Sequence, residues 1–379
     1  MSEKPIPYGR QEITQSDIEA VQNVLTGDFL TQGPAIGSFE QAFQKYIGSN
    51  HAVAVSSGTS ALHLAVMALG LKPGEKVITT PLTFSASANC VLYCGGEIVF
   101  ADIDPKTGLI DFAEVEKIVA QQEIKGIIPV DYAGLPCNTE KLRNIVSEKD
   151  IWILEDACHA PGGWFENESG QKKMAGSCEF TDAAIFSFHP VKHIAAGEGG
   201  MVTVGSEMLK DRLETLRTHG ITKSHLKNND ATPWYYEMLE LGYNYRLTDI
   251  HAALARNQLS RANDNLSRRK EIAKVYDNEL KGLPVELPDS FAGHAYHLYV
   301  IRTDQRDELY HHLHKHNIKA QVHYVPVHWM PFYQEKGWKK GQFPHSENFY
   351  YKCLSLPMFP SLADNELAYT IDTIKSFFQ

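Results

Sequence analysis

The 379-residue sequence lacks several patterns, and each absence narrows what the chain can do. There is no excess of positive charge: 36 Lys and Arg stand against 46 Asp and Glu, a formal net charge of −10. A nucleic acid or an anionic membrane surface needs a positive field, so neither is an expected partner. No apolar run reaches the roughly 20 residues of a membrane span. The longest, 61–71, contains His63. The six cysteines are dispersed and form no C-x-x-C pair, which in a chain this long reads as reduced thiols rather than a disulfide scaffold. The N-terminus, Met1-Ser2-Glu3-Lys4-Pro5-Ile6-Pro7, lacks the basic-then-apolar pattern of a signal peptide. A cytoplasmic protein is expected. Also missing are G-x-G-x-x-G, G-x-x-x-x-G-K-[ST] and H-E-x-x-H, so a Rossmann dinucleotide site, a P-loop and a zincin site have no support.

What is present is an alternation. Apolar runs of strand length fall at 52–55, 76–79, 98–103, 126–130, 151–154, 183–188 and 201–204. Helical patterns fill most of the early gaps, at 61–69, 85–93, 112–120 and 139–147. This predicts an α/β fold with a mostly parallel central sheet covered by helices. Ser16-Asp17-Ile18-Glu19 has capping-box spacing for an earlier helix, and 26–37 reads as a Gly-containing segment. From 248 to 281 a long, charged helical pattern reads as a connecting spine. Beyond it, strands at 297–302 and 318–323 and helices at 306–316 and 364–378 predict a smaller α+β unit. The expected division is a large domain over 1–250 and a smaller C-terminal domain over 251–379.

In open α/β sheets ligands bind beyond the carboxyl ends of the strands. Four polar motifs stand at such ends: Ser56-Ser57-Gly58-Thr59-Ser60, Pro81-Leu82-Thr83-Phe84-Ser85, Glu155-Asp156-Ala157-Cys158-His159 and Ser187-Phe188-His189-Pro190-Val191-Lys192. The first opens a helix, where the N–H groups of Gly58, Thr59 and Ser60 can face an anion; alone, an ordinary N-cap is an equal alternative. Asp156 ends an apolar strand and invites a cationic partner such as a protonated ring nitrogen, although a salt bridge or cap is the commoner fate of a single strand-end Asp. Lys192 precedes a run of small residues, and burial there would favour its neutral, nucleophilic form. Most lysines are simply solvated. Together the four supply a phosphate cradle, a ring-nitrogen partner, an aromatic surface at Phe84 and a Schiff-base lysine, which are the requirements of pyridoxal 5′-phosphate.

These residues, with Leu30-Thr31-Gln32-Gly33-Pro34 and Gly242-Tyr243-Asn244-Tyr245-Arg246, resemble the DegT/DnrJ/EryC1/StrS family of fold type I, pyridoxal-phosphate-dependent sugar aminotransferases. The resemblance runs nearly end to end. It implies that Lys192 carries the cofactor, Asp156 binds its ring nitrogen, Phe84 packs on the ring and His159 approaches its phenolic oxygen. Gly58, Thr59, Ser60 and Ser187 would hold the phosphate, with Asn244 supplied by the second subunit of a homodimer whose active sites are shared. Family dehydratases carry His where Lys192 stands; here His193 comes one position late.

Asp28-Phe29-Leu30-Thr31-Gln32, Asp131-Tyr132-Ala133-Gly134, Cys158-His159-Ala160 and Ala320-Gln321-Val322-His323-Tyr324-Val325-Pro326 resemble the family branch of pseudaminic acid biosynthesis. That branch implies a UDP-linked 4-keto-6-deoxy sugar as acceptor and L-glutamate as amino donor. Tyr8, Phe29, Leu30, Thr31, Gln32, His323, Tyr324 and Val325 would line the nucleotide-sugar site. The run His311-His312-Leu313-His314-Lys315-His316 places His312 and His316 on one helical face, but a solvated surface explains it better than a metal site, and no metal is expected.

Overall fold

The computed structural model describes residues 4–224, 226–228 and 232–379. Seven strands form the central sheet: β1 (His51–Val55), β2 (Lys76–Thr79), β3 (Glu97–Phe100), β4 (Gly126–Ile128), β5 (Trp152–Asp156), β6 (Ala183–Ser187) and β7 (Gly200–Val204). Their spatial order is β1-β7-β6-β5-β4-β2-β3. Every neighbouring pair from β6 to β3 is parallel, while β7 runs antiparallel to both β6 and β1. The sheet is therefore mostly parallel, as the alternation predicts.

Both faces of the sheet are covered, so its strands are apolar on both sides. On β1, Val53 and Val55 pack with Ala61, Leu62, Leu64 and Ala65 of the Gly58–Ala68 helix, while Ala52 and Ala54 join the opposite cluster. That second cluster holds Phe39 and Phe43 from the Pro34–Ile47 helix. Phe43 meets Phe186 edge-on at 4.9 Å and Phe39 meets Phe188 at 5.1 Å.

The Pro34–Ile47 helix begins inside the Gly-containing segment 26–37. Its N-cap is Gly33, which has no side chain to cap with. Asp249 caps it from a distance: its two oxygens accept from Gly33 N at 2.8 Å and Ala35 N at 3.0 Å. The earlier helix spans Gln15–Leu25 and is capped by Thr14 rather than Ser16. Asp17 is its N3 residue, accepting from Thr14 N at 2.8 Å and pairing with Arg261 at 2.9 Å.

The expected spine is two helices, Asp249–Ser260 and Ala262–Glu279, broken at Arg261, whose φ is −104° and ψ 4°. At the break the Arg261 guanidinium donates to Asp17, at 3.1 Å and 2.9 Å. Beyond the spine, Tyr299–Arg302 pairs antiparallel with Cys353–Leu356, a strand the sequence reading did not mark. The strand expected over 318–323 shrinks to Ile318–Lys319, paired in parallel with Ile6–Pro7. Gln321 keeps only an isolated bridge to Ser355, so His323 and Tyr324 lie in irregular chain directed at the central sheet. Among the described residues no helix is long and apolar enough to cross a membrane.

Candidate active site

The C-terminal ends of β1, β5 and β6 open into one cavity of about 420 Å³. The first wall is the β1 turn. The first four N–H groups of a helix have no partner within it. In the Gly58–Ala68 helix, Ser60 N is bonded to Ser57 Oγ at 3.0 Å, and Ala61 N to Ser57 O at 3.0 Å. That leaves the Gly58 and Thr59 amides at the cavity wall. Ser60 is placed differently: its amide is bonded to the cap, its hydroxyl lies 2.8 Å from Ser57 Oγ, and it does not line the cavity. Gly58 is required by contact, because a Cβ there would come within 2.8 Å of Ser187 Cβ on β6. Without a Cβ there, the β1 turn and the end of β6 approach closely.

Asp156 ends β5, in register with Ile185 of β6. It is buried, and its carboxylate is held from two sides: Ser87 Oγ donates to Oδ2 at 2.6 Å and Cys158 N to Oδ1 at 3.2 Å. The preceding Glu155 points to the other face, as strand alternation requires. It accepts from Gly176 N at 2.9 Å, while Asp131 accepts from Cys137 N at 2.8 Å. Each of these two buried acids keeps one oxygen, Glu155 Oε1 and Asp131 Oδ2, that no N–H or hydroxyl of the described residues reaches. A proton shared between them satisfies both. Burial accordingly pushes the Glu155 carboxyl up to about 7 and Asp131 well above its usual range.

Lys192 follows β6 and reaches the cavity. Among the described residues it makes no ion pair. Burial pulls its ammonium below the usual lysine value, an effect opposed by Cys158 and Asp156 nearby. A lowered value raises the neutral fraction that can attack a carbonyl. Around it lie histidines that burial keeps neutral: His159, His193 and His297 are all held well below the ordinary value, and His323 at about 4. His159 Nε2 is 3.1 Å from the Tyr324 hydroxyl, and its ring lies 4.3 Å from His297. His323 Nδ1 meets Ser355 Oγ at 2.8 Å.

Of the residues singled out from sequence, Tyr8, Gly58, Thr59, Phe84, Asp156, His159, Ser187, Lys192, His323 and Tyr324 line this one cavity. Phe84 is 60% exposed, leaving a ring face free to stack. Phe29, Leu30, Thr31, Gln32, Val325 and Asn244 do not line it. The 29–32 segment is tied elsewhere, with Thr31 bridged to Thr248 and Asp249 N bonded to Leu30 O. Asn244 is exposed and bridged to Thr218. Sequence reasoning missed as site residues Thr83, although it precedes Phe84 within its motif, Ser87, two residues beyond that motif, and Glu198 at the cavity wall. Among the described residues no group of three or more His, Cys, Asp or Glu could hold a metal ion.

The donors present fit pyridoxal phosphate. The Gly58 and Thr59 amides, without a partner among the described residues, line one cavity with Ser187, a buried carboxylate at Asp156 and a lysine with a lowered pKa, which are the donors and acceptors that the phosphate, the ring nitrogen and the aldehyde would need.

A mostly parallel, helix-covered sheet with these groups at its strand ends is the architecture of the fold type I pyridoxal-phosphate transferases. The chain belongs to the DegT/DnrJ/EryC1/StrS aminotransferase family, whose model matches residues 11–375. It is 37% identical to the Bacillus subtilis spore coat polysaccharide biosynthesis protein SpsC, over 98% of this chain and 96% of that one. It is 37% identical to the UDP-4-amino-4,6-dideoxy-N-acetyl-β-L-altrosamine transaminase of Campylobacter jejuni, over 99% and 98%. Among solved structures, the PLP-form of the Streptococcus pneumoniae sugar aminotransferase Spr1654 superposes with a TM-score of 0.89 at 28% identity, covering 98% of both chains.

Proposed function

We propose that the protein is a sugar aminotransferase that uses pyridoxal 5′-phosphate and L-glutamate to aminate a UDP-linked 4-keto-6-deoxy sugar, UDP-2-acetamido-2,6-dideoxy-β-L-arabino-hexos-4-ulose, for pseudaminic acid biosynthesis. The carrying observation is the placement of Lys192, Asp156 and the Gly58–Thr59 amides at the ends of three strands around one cavity. The cofactor, when bound, supplies an electron sink that stabilises a carbanion at the carbon losing its proton. The chain does the rest. The Gly58 and Thr59 amides and the Ser187 hydroxyl bind the phosphate at the helix N-terminus. Asp156 holds a positive charge on the ring nitrogen, Phe84 packs on the ring, and neutral His159, oriented by Tyr324, meets the phenolic oxygen. Lys192 acts as acid and base, taking the α-proton of glutamate in the first half-reaction and delivering a proton to the sugar C4 in the second.

Tyr8, His323 and Tyr324 contact the sugar. Phe29, Leu30, Thr31, Gln32 and Val325 serve the nucleotide end, and Asn244 of the partner subunit completes the phosphate site of a cytoplasmic homodimer. The large domain, 1–250, carries the cofactor, and the smaller one, 251–379, presents His323 and Tyr324 to it. The likeness to the Campylobacter jejuni transaminase supports this acceptor; the likeness to SpsC supports another nucleotide sugar of the same class. The test is to incubate the holoenzyme with glutamate and a panel of UDP- and dTDP-4-keto sugars, and to determine product structure by NMR. Amination at C4 of the UDP-L-arabino-hexos-4-ulose is expected. Turnover of a dTDP sugar alone, or a D-gluco product, would refute the acceptor assignment, and full activity of Lys192→Ala would refute the mechanism.

A further inference from the structure

Asp156 does not stand alone at the end of β5. Its Oδ2 accepts from Ser87 Oγ at 2.6 Å, and Ser87 Oγ lies 3.0 Å from Thr83 Oγ1. Thr83 and Ser87 are each 1% exposed and both line the cavity. The direction of this chain is determined. Ser87 Oγ has one proton and donates it to Asp156 Oδ2. Ser87 Oγ is then free only to accept, and the Thr83 proton goes to Ser87. The separation of 2.6 Å is that of a charge-assisted bond between hydroxyl and carboxylate. Thr83 and Ser87 are four residues apart, and Phe84 lies between them on the same turn. One short segment therefore presents a ring-stacking surface and a polarised donor chain to the same carboxylate.

We infer that Ser87 is a positioning residue for the reaction, and Thr83 its support: the Thr83→Ser87→Asp156 chain holds the Asp156 carboxylate turned toward the cofactor's ring nitrogen. This rests on the reading of Asp156 given above. Cys158 N holds the other oxygen, so the carboxylate plane is pinned at both ends. Losing the Ser87 hydroxyl frees that plane to rotate and removes a donor from a buried anion.

The test uses holoenzyme and apoprotein of Ser87→Ala, Ser87→Cys, Thr83→Val, Ser87→Thr and Asp156→Asn. Two readouts are independent of turnover: the dissociation constant of pyridoxal phosphate from the apoprotein, and the pH midpoint of the bound cofactor's visible absorbance band. Ser87→Ala is expected to weaken cofactor binding about tenfold and to move the midpoint by about one pH unit, the effect of one hydrogen bond to a charged group. Ser87→Cys keeps the volume and loses most of the donation, so it follows Ser87→Ala even where the alanine leaves a packing defect. Thr83→Val has a smaller effect, about threefold in affinity, and Ser87→Thr restores both readouts to within about twofold of wild type. In the Asp156→Asn background Ser87→Ala adds little, because the hydroxyl acts through that carboxylate. Unchanged affinity and midpoint in both Ser87→Ala and Ser87→Cys would overturn the inference, as would a full additive effect in the Asp156→Asn background. If Asp156→Asn itself binds cofactor with a wild-type spectrum, the reading of Asp156 fails first, and the two failures are distinguished.

Discussion

Gly58→Ala probes how closely the cradle must be packed. A Cβ at this position lies 2.8 Å from Ser187 Cβ and 3.2 Å from Ser187 Oγ. Relief requires the β1 turn and the end of β6 to separate by several tenths of an ångström. Neither side is free to give. Ser187 is held in register with Gly200 of β7, and a Cβ on Gly200 would itself fall 2.3 Å from Ser57 O. The collision is therefore between backbone-anchored atoms, and such overpacking costs about 1–3 kcal/mol. Part of that appears as stability, at about 2–4 °C of Tm per kcal/mol for a large domain. The rest appears as cofactor affinity, because the displaced atoms are the two amides and the hydroxyl assigned to the phosphate.

The expected result for Gly58→Ala is a fall in Tm with cofactor binding weakened about tenfold, measured by calorimetry and by titration of apoprotein with pyridoxal phosphate. Gly37→Ala is the matched control. Gly37 lies inside the Pro34–Ile47 helix, and an added Cβ there meets nothing within 4 Å. Removing a helical glycine at an unstrained site gains about 0.5–1 kcal/mol through the unfolded chain, so this variant should melt higher and bind cofactor normally. Wild-type affinity and Tm for Gly58→Ala would refute the close-packed cradle.

Asp249→Ala should lower stability by about 1–2 kcal/mol in denaturant unfolding, since it orphans the Gly33 and Ala35 amides that start a buried helix, and Asp249→Asn should recover part of the loss. Arg269→Met should cost about 3 kcal/mol or more, because the buried guanidinium donates to the carbonyls of Tyr296, His297 and Met358, which would all lose their donor. Glu155→Gln should change how stability varies with pH. The Glu155 carboxyl titrates at about 7 in the fold against 4.5 in its ordinary state, so the native protein binds more protons in that window and stability declines as pH rises through it. The neutral histidines have the opposite sign, losing stability as pH falls below 6.5. Removing Glu155 therefore makes the rise in stability from pH 4.5 to 7 steeper, as followed by Tm across buffers.

The sheet was legible because strands buried on both faces are short continuous apolar runs, and β2 was placed to the residue. The motifs at the strand ends were legible for the same reason: each begins where an apolar run stops. What escaped is what depends on residues far apart in the chain. The start of the Pro34–Ile47 helix carries no local cap, since its cap is Asp249, more than two hundred residues away. The break at Arg261 is hidden in an uninterrupted charged pattern, and the Asp17 that pairs with Arg261 lies on another helix far away in the chain. Ser87 looked like one more small residue at a helix start. Only folding shows that Asp156 lies within 2.6 Å of its hydroxyl.

The net charge of −10 and the anion-binding chemistry of the site are reconciled by where the charges are. Of the described residues lining the cavity, Lys192 is the only Lys or Arg, and its ammonium is already destabilised by burial. A cationic cradle would push that lysine further toward its neutral form, and it would also sit beside histidines that must stay uncharged. Two backbone amides at a helix N-terminus avoid the conflict. They offer partial positive charge directed along their bonds to a phosphate, with little field at Lys192. Burial can then set the lysine's protonation independently of the phosphate site. Total charge therefore bears on whether a polyanion partner is expected and not on a small phosphorylated ligand.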